Sequence, residues 1–148
     1  MDTDILTQLV HARLTLLVEL HEILARQAAL IGAGDLTRLF SLLAIKQRTL
    51  NELVSTDRKL DPFRQQDPEQ RVWRSADDRA RCRAMVEQCE RLLQEIARME
   101  RHGEVELVRR RDRVAATLQG MHGAKQAYQA YGESEALAGG HFDVSCDT

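Results

Sequence analysis

The chain has 148 residues, a formal net charge of −2, 30% charged residues, 4% aromatics and only two prolines. That length suits one domain with a core of several helices, and the composition favours long helices over a sheet. With 21 Lys+Arg against 23 Asp+Glu, the chain as a whole makes no electrostatic case for nucleic acid or for an anionic membrane.

The first helix is expected over about residues 4–31. Val10, Leu17, Leu24 and Ile31 recur every seven residues, and Leu6, Leu9, Leu14 and Leu20 widen the apolar face. Asp2, Thr3 or Asp4 can cap its start, and Gly32-Ala33-Gly34 supplies residues suited to ending it. Asp2 and Asp4 also stand where the positive segment of a signal peptide belongs. No apolar run approaches the ~20 residues that span a bilayer. A cytoplasmic chain without stable membrane insertion is the expectation.

Asp35 then caps a second helix over about residues 35–60, and so short a connection folds the two helices into an antiparallel hairpin. Leu36, Leu43 and Leu50 make one stripe along it, with a second row of Leu39, Lys46 and Leu53 beside it. A lysine at a packing position is costly unless its ammonium reaches water or a partner. Lys46 is therefore expected to snorkel at the bundle rim toward a carboxylate such as Glu19 or Glu22.

Asp61-Pro62 is expected to break the second helix, because proline disfavours helical geometry in the residue before it. Asp67-Pro68-Glu69-Gln70 is a helix start signal and Ser75-x-x-Asp78 is another, which sets residues 68–74 apart as a short turn or helix. Trp73, the sole tryptophan, is expected to pin this connection onto the hairpin.

A long third helix is expected over about residues 76–128. Cys82, Cys89, Ile96 and Gly103 form one seven-residue series, flanked by Met85, Leu92 and Met99. Past Gly103 the series changes phase to Leu107, Val114, Met121 and Tyr128, a four-residue step equivalent to a stutter. A helix of ~45 residues spans ~67 Å, against ~40 Å for the first two. Leu107, Val114, Leu118 and Met121 are thus candidates for an apolar face left free for a partner. The fold class is all-α: a helical hairpin plus a long third helix in a three-helix bundle, forming a single domain over residues 1–132. Residues 133–148 carry acidic groups and no Lys or Arg, and read as a flexible, disordered acidic tail.

No catalytic constellation is present, neither a nucleophile elbow, a phosphate loop nor a zinc-helix motif. His11 and His21 are ten apart and lie on different helix faces. Cys82, Cys89 and Cys146 match no metal spacing. No enzyme activity, cofactor or metal is expected. Arg109-Arg110-Arg111 with Arg113 is diluted by Glu104, Glu106 and Asp112 and lacks interleaved aromatics. It reads as a solvated face or a contact for an acidic protein partner.

Gly34-Asp35-Leu36, the leucines through Leu43, then Lys46, Leu50 and Leu53 resemble the second-helix pattern of FlgN-type flagellar export chaperones. The resemblance extends to the long third helix and to Tyr131-Gly132 followed by a polar tail. It implies a cytosolic type III export chaperone without cofactor. Such a protein binds the C-terminal helical segments of hook–filament junction proteins, prevents premature assembly and delivers them to the export gate. Client binding in the family maps to the C-terminal part, here Leu107, Val114, Leu118 and Met121. Export-gate docking maps to a tyrosine, Tyr131 or alternatively Tyr128. The residues by themselves also fit a structural coiled-coil adaptor that homodimerises through the same face.

Overall fold

The computed structural model describes the backbone of residues 2–146 and the side chains through Glu133. Three helices, α1 (Thr3–Ala33), α2 (Leu36–Arg64) and α3 (Ala76–Cys146), follow one another, with a short 3-10 turn at Pro68–Gln70 before the last. No strand occurs among the described residues, and the fold is all-α. The chain divides into two compact units, Met1–Glu104 and Val105–Thr148.

Local chemistry sets the helix ends of the first unit. The Asp2 carboxylate accepts the Asp4 N–H at 2.7 Å and caps α1. At the other end Gly34 adopts φ 69°, and the Gly34 and Asp35 N–H groups return to the Ile31 and Leu30 carbonyls. Only glycine takes that left-handed conformation without a steric cost. Asp35 caps α2 by accepting the Arg38 N–H at 3.2 Å.

The core lies between three inward faces. Val10, Leu17, Leu24 and Ile31 of α1 are all buried, as are Cys82, Cys89 and Ile96 of α3. One cluster joins Leu17, Leu20 and Leu24 to Leu53, Cys89 and Ile96. A second joins Leu6 and Val10 to Leu60, Phe63 and Cys82. Residue numbers rise together along α1 and α3 between these clusters and fall along α2. Within this unit α1 and α3 therefore run parallel, with α2 antiparallel to both. Burying a leucine such as Leu17 contributes about 1.5–3 kcal/mol.

The face that α2 turns inward decides between its two rows and gives Lys46 partners other than those expected. Leu36 and Leu43 are 60% and 37% exposed, whereas Leu39, Leu53 and Leu60 are buried, with Leu42, Thr49 and Phe63 beside them. The buried row is the one that carries Lys46. Its ammonium forms an ion pair with Glu100 of α3 and donates to Gln27 Oε1 of α1 at 3.1 Å. Glu19 and Glu22 play no part, because the inward row aims Lys46 at α3. The Thr49 hydroxyl is satisfied inside the core by the Ile45 carbonyl at 3.2 Å.

Proline does not stop α2 where expected. The helix continues through Pro62 to Arg64, four residues past the expected end at Leu60. Tertiary contacts hold this extra turn: Phe63 is buried in the second cluster, and Arg71 Nη2 donates to the Phe63 carbonyl at 2.6 Å. These offset the hydrogen bond lost at the proline nitrogen. Of the expected 68–74 element, Pro68–Gln70 is helical, with Asp67 accepting the Glu69 N–H at 3.0 Å. Trp73 packs on the second cluster, and Thr3 Oγ1 donates to the Val72 carbonyl at 3.0 Å. Ser75 caps α3 through the Asp78 N–H at 3.1 Å.

The backbone of α3 stays helical through Gly103, where an added Cβ would meet Gln27 Nε2 at an ordinary 3.8 Å. In the second unit the helix runs on to Cys146, beyond the expected end at 128. Side chains of the expected acidic tail past Glu133 lie outside the described residues.

Candidate functional site

Spacings of seven, four and three place Leu107, Val114, Leu118 and Met121 on one side of α3. All four are exposed, from 47% at Leu107 to 64% at Met121, and every residue from Arg111 to Glu133 is exposed. Tyr128, seven beyond Met121, continues the stripe. Tyr131 stands about a quarter-turn off it, at ~100° per residue. Both tyrosines are open to solvent. The basic cluster beside this stripe is partly neutralised, with Arg110 3.6 Å from Glu106 and Arg111 3.5 Å from Asp112.

The first unit holds a different feature, a groove of about 640 Å³ flanked by α2 and α3 and backed by α1. Its apolar lining includes Leu60, Phe63, Trp73, Val86 and Leu93. Five arginines, Arg13, Arg64, Arg71, Arg79 and Arg83, edge it, against a single lining acid, Glu90. Asp57 takes up two of these cations, Arg13 at 2.9 Å and Arg64 at 3.2 Å. Arg83 reaches Glu87 at 3.9 Å. Arg71 is held by the Phe63 carbonyl and Gln66, neither of them a carboxylate.

Cys82 and Cys89 line this groove, buried and not joined in a disulfide. Burial pushes both thiols above their ordinary range, opposed at Cys82 by the Thr7 hydroxyl and Arg71 and at Cys89 mainly by Arg13. A thiol held neutral is a poor nucleophile. Among the described residues no group of His, Cys, Asp and Glu converges to hold a metal, and no helix is long and apolar enough to cross a membrane.

The family model for FlgN protein matches residues 1–138. The chain belongs to the FlgN family. Members of this family act as flagellar export chaperones. Searches of curated proteins and of solved structures returned no match. The FlgN match takes in the hairpin, the connection and α3 past Tyr131, so every expected site residue falls inside it. The groove residues also fall inside it, yet sequence patterning missed them. They come from α1, α2, the connection and α3 and share no local motif. The one usable signal was the density of arginine in residues 71–83.

Proposed function

We propose that this FlgN-family chain binds the C-terminal helical segments of hook–filament junction proteins through Leu107, Val114, Leu118 and Met121, keeps them unassembled, and delivers them to the export gate. The observation that supports this most is the uninterrupted exposure of α3 from Arg111 to Glu133, with an apolar stripe along it. A client helix that would otherwise self-assemble can lay its own apolar face on such a stripe. Tyr131, off the stripe, stays accessible while a client lies along it, which favours Tyr131 over Tyr128 for gate docking.

The test is co-purification with the C-terminal region of a junction protein. Val114→Asp with Leu118→Asp should abolish the complex, since a charge on an apolar contact stays unsatisfied when buried. Tyr131→Ala should leave the complex intact and lower secretion of the client. Full client binding by the double aspartate variant would rule out this face. A stable homodimer that the same two substitutions dissociate, with no client bound, would instead identify an adaptor.

A further inference from the structure

We infer that the groove between α2 and α3 is a second docking site, which receives an acidic amphipathic helix from a partner protein. The inference does not depend on the distal face of α3, because every residue lining the groove belongs to the first unit.

Charge points to the occupant. The chain is net negative, yet five arginines and one glutamate line this one groove. Carboxylates of the chain itself engage Arg13, Arg64 and, loosely, Arg83. Among the described residues Arg79 and Arg71 have no carboxylate partner, so they can donate charge-assisted hydrogen bonds to a carboxylate of a ligand. The same field disfavours a basic partner.

Shape favours a helix over an extended strand or a small molecule. The apolar strip is flanked by two helices and backed by a third, which is the position a fourth helix takes in a bundle. Val86 and Leu93 are seven apart on α3 and line the same groove, so an incoming helix meets a periodicity matched to its own. No exposed strand edge is available for an extended peptide to extend, among the described residues. Trp73 lines the groove half-buried, and as the only tryptophan it reports occupancy directly.

The experiment uses the full chain and two synthetic helical peptides with identical leucine faces, one with glutamate and one with lysine on its polar face. Trp73 emission and fluorescence anisotropy follow binding. The acidic peptide should shift Trp73 emission and bind at least tenfold more tightly than the basic one, the difference shrinking as salt rises. Arg79→Glu with Arg83→Glu, both on the exposed surface, should weaken the acidic peptide at least tenfold and leave the far-UV circular dichroism unchanged. Val114→Asp with Leu118→Asp should leave this binding intact, which separates the groove from the client face. Equal affinity for the two peptides, or no effect of the arginine reversals, would overturn the inference. Arginine-dependent binding to vesicles containing phosphatidylserine, without peptide binding, would overturn it in favour of a membrane.

Discussion

At the scale of single residues, the polar group Lys46, Gln27 and Glu100 explains how a lysine survives on the inward row of a leucine-rich helix. The Lys46 side chain is only 15% exposed, so its charge needs partners rather than water. It finds one on each neighbouring helix: Gln27 of α1 and Glu100 of α3. Three helices are tied at one level, and slipping any of them would strand a buried polar group. Lys46→Leu leaves Gln27, itself buried, without its donor and Glu100 without its cation. The expected cost is about 1–3 kcal/mol, from the desolvation of the orphaned groups. Adding Gln27→Leu should recover part of that loss, because no buried amide then lacks a partner. Urea unfolding of the two single variants and the double variant measures the coupling. Strict additivity would mean that the two side chains act independently.

At the scale of elements, the series on α1 and α3 were legible because their buried positions are apolar throughout. Val10, Leu17, Leu24 and Ile31 meet Cys82, Cys89 and Ile96, and the other apolar row of α1, Leu9, Leu16, Ile23 and Leu30, is buried or half-buried beside them rather than in conflict with them. On α2 two rows competed, and the wholly apolar one, Leu36, Leu43 and Leu50, turned out to be the more exposed. Local pattern cannot rank two such rows when the charged residue in one finds its hydrogen-bond acceptor and its counter-ion 19 and 54 positions away. The end of α2 was misjudged for the same kind of reason. Phe63 is held by residues from outside the helix, and local sequence shows only the proline. A pair of substitutions tests which row is structural. Leu39→Ala should cost about 2–4 kcal/mol, as truncation of a buried leucine does. Leu36→Ala, at 60% exposure, should change stability by no more than about 0.5 kcal/mol. Comparable losses in thermal or urea unfolding would contradict the inward face described for α2.

At the scale of the whole molecule, stability and client binding are expected to reside in different lengths of chain. Both core clusters fall within Met1–Glu104, and among the described residues the buried hydrophobic ones end at Ile96. Described residues beyond Glu104 are exposed or at most half-buried, so they add little of the apolar burial that drives cooperative folding. A chain ending at Glu104 should therefore unfold in one cooperative step, with a thermal midpoint within ~3 °C of the full chain, less than the shift that ~1 kcal/mol causes in a domain of this size. The same truncation removes Leu107, Val114, Leu118, Met121, Tyr128 and Tyr131 together, and should abolish the complex with a junction-protein C-terminus. Calorimetry on the truncated chain and pull-down with the client read the two quantities separately. A large drop in midpoint would show that the distal helix supports the core. Retained client binding by a well-folded 1–104 chain would move the client site into the first unit. The α2–α3 groove would then be the surface to examine, and Arg79→Glu with Arg83→Glu in the truncated chain would decide whether the client occupies it.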